Sequence, residues 1–182
     1  ASKGSTSVYK SSDNGVSWIQ AGFGLPSTND VVRACVAVTP ANPQVVYAMF
    51  GDNNNGFYGV YKSINEGATW TQESNSPNLL GWSSTGSDSD GQAWYDLIAV
   101  VNPADENEVH VGGVNTFKTS DGGTTWEKTS SWSNGWDYSV SFVHADIHNV
   151  IYRPGNNAIL YATDGGIFYA PDARWKQRDG LW

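Results

Sequence analysis

The chain has 182 residues, 39% hydrophobic but only 15% charged, and a formal net charge of −8. That acidity argues against nucleic acid and against an anionic membrane surface as partners, because both repel a negative protein. No run approaches the ~18 apolar residues of a transmembrane helix, and the polar opening ASKGSTS is not a signal peptide, so any export signal is removed or lies upstream.

The first element is an aromatic-lysine pair, Tyr9-Lys10, leading into Ser11–Trp18, SSDNGVSW. The phrase returns as Ser63–Trp70, SINEGATW, after Tyr61-Lys62, and as Thr119–Trp126, TSDGGTTW, after Phe117-Lys118. All three fit Ser/Thr-x-Asp/Asn-x-Gly-x-Ser/Thr-Trp. This is turn chemistry. Asp or Asn can bond backbone N–H groups two residues on, and glycine supplies a left-handed conformation. The flanking Ser and Thr favour strands and add hydrogen bonds across the turn. Each tryptophan should fold back over the turn and bury apolar surface. Asp13, Gly15, Trp18, Asn65, Gly67, Trp70, Asp121, Gly123 and Trp126 are therefore read as structural residues rather than catalysts.

Trp18 and Trp70 lie 52 residues apart, and Trp70 and Trp126 lie 56 apart. Such periods point to a β-propeller of four-stranded antiparallel blades. The first full blade has apolar or β-branched runs at Val31–Thr39, Val45–Phe50, Gly59–Ser63 and from Thr69 onward. The next has Trp94–Val101, Glu108–Gly112, Thr116–Thr119 and Thr125–Lys128. A third begins with Phe142–Tyr152 and continues through Ile159–Thr163 and Ile167–Ala170. A proline turn follows each innermost strand, at Pro40, Pro103 and Pro154. The expected division is a partial blade 1–22 and blades 23–75, 76–132 and 133–182, about three and a half in all. The last hairpin, Ala170–Trp175, keeps Asp172 and Trp175 but lacks the glycine, and the final Gly180-Leu181-Trp182 resembles Gly22–Leu25. A piece cut at both ends leaves unpaired edges. The chain is therefore read as a segment whose first partner is the rest of its own propeller, with self-association as the alternative.

Cys35 is the sole cysteine. It falls on an innermost strand as a small apolar residue and permits no internal disulfide. One constellation departs from the repeat: His144-Ala145-Asp146-Ile147-His148. On a continuous strand, positions i, i+2 and i+4 share a face, so both imidazoles and the carboxylate would project together. Such a set suits a divalent transition metal, zinc or iron, as a possible cofactor. It also suits a hydrogen-bond network near the central channel, the preferred reading, or a contact to sugar. Asp164-Gly165-Gly166 either joins this group or sets a hairpin, and hairpin setting is favoured. Gln92–Asp96 leads the preceding inner strand, with Trp94 and Tyr95 expected on opposite faces. With Trp82, Trp132 and Trp136 these aromatics either form a platform for sugar rings or pack between blades, packing being preferred for most. Asp52–Gly56 and Ser87–Gly91 look like calcium loops but lack the glutamate an EF-hand requires at its twelfth position, and are read as solvated loops.

The repeated phrase resembles the Asp-box, or BNR repeat, of sialidase-like, sortilin-like and glycoside-hydrolase propellers. With Gly91–Asp96, Gly112-Gly113, His144–His148 and Asp164–Ile167, the chain resembles the large secreted BNR-repeat proteins of Bacteroidetes-type bacteria, many exported by the type IX system. The resemblance implies a secreted or cell-surface bacterial propeller, without implying one activity. Sialidases of this fold use an arginine triad, a tyrosine nucleophile and an Arg-Ile-Pro motif. Here only Arg33, Arg153, Arg174 and Arg178 occur, and Arg153-Pro154 lacks the isoleucine. Xyloglucanase-type hydrolases use two aspartates, for which Asp96 and Asp146 are the pair that can be nominated. A sortilin-like role lacks its cysteine-rich module in this segment. The leading expectation is a non-catalytic scaffold that binds glycan or extracellular protein, with Trp94, Tyr95, His144, Asp146 and His148 as ligand-binding residues. The alternative is a glycoside hydrolase whose carboxylates lie partly outside the segment.

Overall fold

In the computed structural model, which describes residues 7–133, 140–155 and 158–171, the three copies of the phrase fold into one kind of turn. The hydroxyl of the first residue serves the nearby amides. Ser63 Oγ accepts N–H groups from Asn65 at 3.3 Å and Gly67 at 2.8 Å, and Thr119 Oγ1 accepts those of Asp121 at 3.3 Å and Gly123 at 3.0 Å. The acidic residue reaches further than expected. Asp121 accepts the Thr125 N–H at 2.9 Å and its hydroxyl at 2.6 Å, and Asp13 does the same to Ser17 at 2.9 and 2.5 Å. The hydroxyl, not the carboxylate, therefore takes the amide two residues on, leaving the carboxylate to close the far side of the turn. Asn65 makes the neutral version, accepting from the Thr69 N–H and donating to its hydroxyl, both at 2.9 Å. Gly15, Gly67 and Gly123 have φ of +87°, +85° and +101°, a region that strains other residues.

The tryptophans differ by position in the arc. Trp70 donates its indole N–H to the Gly67 carbonyl at 3.0 Å and is buried. Trp126 donates to Ser74 Oγ at 3.0 Å, and that hydroxyl donates to the Gly123 carbonyl. Trp18 also folds back, onto the Gly15 carbonyl at 3.2 Å, yet stays 61% exposed. The expectation that it buries a large surface fails because it sits at the first edge of the arc.

These turns organise four sheets. A short hairpin pairs β1 (Tyr9–Lys10) with β2 (Ile19–Gln20). The second sheet runs β3 (Val31–Val38), β4 (Val46–Asp52), β5 (Phe57–Ser63) and β6 (Thr71–Ser74), each antiparallel to the next. The third runs β7 (Ile98–Asn102), β8 (Asp105–Gly112), β9 (Thr116–Thr119) and β10 (Glu127–Ser131), with β11 (Ser141–Phe142) added parallel to β10. The fourth holds β12 (Ile147–Tyr152), β13 (Ile159–Thr163) and β14 (Gly166–Ala170). The inner strands are neighbours in space, β3 beside β7 and β7 beside β12. This is the blade arrangement of a β-propeller, all-β among the described residues, with about three and a half blades of an incomplete ring. No described helix is long and apolar enough to cross a membrane. The third hairpin beyond Pro171 and the loop residue Trp136 lie outside the described residues.

Two strand expectations are corrected. Phe142–Tyr152 is not one strand. Ser141 and Phe142 extend the preceding sheet, Asp146 takes φ +66°, and the chain re-enters as β12 only at Ile147. Likewise the strand expected from Trp94 begins at Ile98. Before it, the Tyr95 and Asp96 amides donate to the Gln92 carbonyl at 2.8 and 3.1 Å, making a turn.

The alternation of β4 shows why the sheets stack. Tyr47 and Met49 enter a core with Val60, Leu80, Val109 and Val111 toward the third sheet, whereas Ala48 and Phe50 enter one with Val8, Tyr61 and Trp70 toward the first. A third core joins Ile98 and Val100 to Ile147, Val150 and Tyr161. Period-2 residues are thus apolar on both faces. A buried polar set was not visible in the sequence. His110 Nδ1 lies 3.1 Å from the Tyr161 hydroxyl, and Glu108 accepts hydrogen bonds from Tyr152 at 2.7 Å and Asn102 at 2.8 Å. The His110 ring 3.6 Å away and these two donors hold the Glu108 carboxyl at about 2.

Register separates the two ends of the arc. Val38 pairs with Val46 and Val46 with Ser63, so the repeated turn shares an end with the proline turns. The β4–β5 and β13–β14 turns and the entries to the inner strands lie at the other end.

The hydrogen bonds of Thr125, of its hydroxyl first, hold the Asp121 carboxyl at about 2, below its usual 3.8. Its contribution is therefore present above pH 4 and lost as pH falls toward 2. Asp121→Asn should adopt the Asn65 geometry, keep Tm at pH 7 and flatten the acid limb of a Tm-versus-pH curve. Asp121→Ala should lower Tm at pH 7 by about 2–4 °C.

Candidate functional site

The end opposite the repeated turns is built from the long connection before β7. Asn78 pins it: its Oδ1 accepts the Phe57 and Leu80 amides at 2.9 and 3.1 Å, and its Nδ2 donates to the carbonyls of Asp88 and Asp90. Leu79 and Leu80 plug the core beneath it. The Asp88 carboxylate caps the Ser83 N–H, and Asp52 accepts the amides of Asn54 and Gly56 at 2.8 Å. Both calcium-like loops thus use their first aspartate as a turn former.

At the centre stands Gln92. Its Oε1 accepts the Trp82 indole N–H at 3.3 Å, which orients the amide. Nε2 then donates to Asp96 at 3.2 Å and Asp146 at 2.5 Å. Two carboxylates 50 residues apart in sequence thus converge on one nitrogen. Asp96 is fully buried and its Oδ1 has no hydrogen-bond partner among the described residues. Burial, with the nearby Asp146 charge adding to it, pushes the Asp96 carboxyl up to about 7.

Beside this pair, Tyr95 and His148 meet edge to face with centroids 5.0 Å apart, and Trp94 lies 5.2 Å from Tyr95. His148 Nε2 is 2.6 Å from Asp164 Oδ1, and the Tyr95 hydroxyl donates to the same carboxylate at 3.3 Å. The His148 contact, then that of Tyr95, lowers the Asp164 pKa, while the Asp164 charge raises that of Tyr95. Arg33 fastens the turn by donating to the Trp94 carbonyl at 2.9 Å. Trp132 donates its indole N–H to the Trp82 carbonyl at 3.0 Å.

The sequence-derived candidates are rearranged by this geometry. His144, Asp146 and His148 do not share a strand face, because the left-handed Asp146 breaks the strand between them. His144 turns its Nδ1 to the Ala145 carbonyl at 3.1 Å and packs over Gly165, where a Cβ would meet the ring at 2.3 Å. Asp146 turns to Gln92 and His148 to Asp164. Among the described residues no three His, Cys, Asp or Glu side chains gather as a metal-binding set, so the proposed metal trio is not assembled. Trp94 and Tyr95 are both exposed, at 65% and 38%, rather than split between core and solvent. Trp82 and Trp132 are exposed too, at 41% and 42%, not packed between blades. Asp164 lies in the Thr163–Gly166 hairpin, where the Thr163 hydroxyl takes the Gly165 N–H, and its carboxylate joins His148 but not His144 or Asp146. Gln92 was missed as the connecting residue; its place two before Trp94 carried no signal without the fold.

No protein-family model matches the sequence, and no curated protein matches it at a significant level. Solved structures do. An ancestral GH74 enzyme is 18% identical with a TM-score of 0.59, over 96% of this chain and 21% of that one. The GH74 xyloglucanase of Xanthomonas campestris is 19% identical, TM-score 0.51, over 81% of this chain and 23% of that one. YCF48 from Cyanidioschyzon merolae is 15% identical, TM-score 0.50, over 84% and 41%. The chain thus spans about a fifth of the first structure's length, and at these identities the likeness shows the fold: a β-propeller.

A buried carboxyl raised to about 7 favours folding at low pH and loses that contribution as pH rises from 4 through 7, when the folded state must bury a charge. Asp96→Asn should therefore gain Tm relative to the parent across that window and hold the gain above pH 8. A difference that stays flat from pH 4 to 8 would show that Asp96 is ionised throughout.

Proposed function

We propose that this chain is a segment of an extracellular or cell-surface bacterial propeller that binds glycan through the face at the entry end of its inner strands. The observation that carries the reading is the group of exposed aromatic side chains Trp82, Trp94, Tyr95 and Trp132 beside Asp146 and Asp164: Tyr95 contacts Trp94 and donates to Asp164, Trp82 donates to Gln92, and Trp132 donates to the Trp82 carbonyl. Flat apolar faces pack on the C–H faces of sugar rings, while carboxylates and Gln92 offer polar partners for hydroxyls. The Asp-box identity of the repeat, and with it secretion through a type IX route, belong to the same proposal. They rest on the phrase itself and on the low charge and high aromatic content. Within it the blades run 23–75, 76–132 and 133–182 after a partial 1–22.

A second reading, glycoside hydrolysis, is favoured by one observation: Asp96 and Asp146 approach the same amide, with the Asp96 carboxyl raised. Against it, Asp96 has no exposed surface from which to protonate a glycosidic oxygen, and Gln92 already occupies the space between the pair.

Titration with neutral oligosaccharides followed by calorimetry tests the binding reading. Trp94→Ala should weaken the best ligand at least ~10-fold, about 1.4 kcal/mol, without changing Tm, while Asp121→Asn at the far end should leave affinity unchanged. Equal affinity in Trp94→Ala would remove the aromatic face from the site. Polysaccharide cleavage by the protein, abolished in Asp146→Asn, would replace the binding reading with the hydrolytic one.

A further inference from the structure

The basic residues of this chain are sorted by end, while acids stand at both. Among the described residues the lysines, Lys10, Lys62, Lys118 and Lys128, all sit beside the repeated turns, and Arg153 lies in the β12–β13 turn at that same end. The opposite end carries Asp30, Asp52, Asp88, Asp90, Asp96, Asp146 and Asp164, with Arg33 as its one arginine or lysine among the described residues. That guanidinium is already engaged with the Trp94 carbonyl. The aromatic face therefore lies in a field of one sign, which concentrates cations and repels anions.

We propose that the face selects an amine-bearing glycan, an amino sugar whose amine is free and protonated, over neutral and acidic sugars. This rests on the glycan-binding reading above and narrows it. Ring faces attract ammonium groups through their quadrupole, and Trp94 and Tyr95 present such faces. Asp146, partly exposed, accepts a bond from Gln92 Nε2 and has lone pairs left for a second donor. Asp164, which accepts the Tyr95 hydroxyl, is a second carboxylate. Beneath the patch is the independent sign that something positive belongs there: the buried Asp96 Oδ1, without a hydrogen-bond partner and joined through Gln92 to Asp146. An ammonium held by Asp146 offsets the cost of ionising that oxygen. An acidic sugar finds no free guanidinium or ammonium among the described residues, and the imidazole of His148 is already held by Asp164. A basic peptide fits less well, because the face lies at strand ends and offers no strand edge for an extended chain to extend.

The test pairs a glucosamine oligomer with its N-acetylated counterpart of equal length, which differs only in charge at nitrogen. An oligogalacturonide and a lysine-rich peptide complete the set. The glucosamine oligomer should bind at least tenfold more tightly than the acetylated one, and added salt should reduce that preference. Asp146→Asn or Asp164→Asn, each confirmed as folded by Tm, should erase the preference while acetylated-oligomer binding persists, and Trp94→Ala should weaken both oligomers. Equal binding of the two oligomers would overturn the amine preference and leave glycan binding standing. Failure of every oligosaccharide would overturn both. A glucosamine preference insensitive to Trp94→Ala is surface adsorption and counts against the proposal, as does tighter binding of the peptide or of the oligogalacturonide.

Discussion

Everything in this arc depends on the clasp between a hydroxyl and a side-chain oxygen two residues later. Ser63 with Asn65, and Thr119 with Asp121, satisfy four or five turn groups from within eight residues. A turn that needs no help from the rest of the molecule can be repeated at will. It delivers the outer strand beside the third one, and it leaves the tryptophan free to seal the join to the neighbouring structure. In the second sheet that join is made: Gly24 approaches so closely that a Cβ would lie 2.1 Å from the Trp70 carbonyl oxygen.

Because the clasps settle the outer parts of the blades, the inner parts are free to vary. Both faces of β4 are buried, so its alternation only has to be apolar. Between the third and fourth sheets the same packing tolerates a polar inclusion, the His110–Tyr161 and Glu108–Tyr152 contacts, because each hydroxyl finds a partner. At the entry end of the inner strands no repeated chemistry is imposed, and there the chain collects exposed tryptophans, a shared glutamine and carboxylates.

The two ends therefore divide the labour physically. The repeated-turn end uses Asp13 and Asp121 as hydrogen-bond acceptors for its own hydroxyls first and its backbone amides second, which is why both titrate low. The entry end buries an acid, and that burial first, with the Asp146 charge adding to it, is why Asp96 titrates high. The same residue type is structural in one place and available to a ligand in the other.

The fold was legible because its signal is local and periodic: the spacing of Trp18, Trp70 and Trp126, and glycines that must be left-handed. Strand membership of most elements followed from the same runs. The candidate site was legible only as a set of names. Counting i, i+2, i+4 along His144–His148 assumes a continuous strand, and the left-handed Asp146 defeats it. No pattern pairs Asp96 with Asp146, since that contact crosses from one sheet to the next, and His148 meets Asp164 only because β12 and β13 pair in the register that sets Ile147 against Thr163. The sequence by itself determined the turn, the blade and the repeat, because their hydrogen bonds close within a few residues. Only the tertiary structure decided which carboxylates share an amide and which aromatics face solvent, because those depend on how successive blades are set side by side.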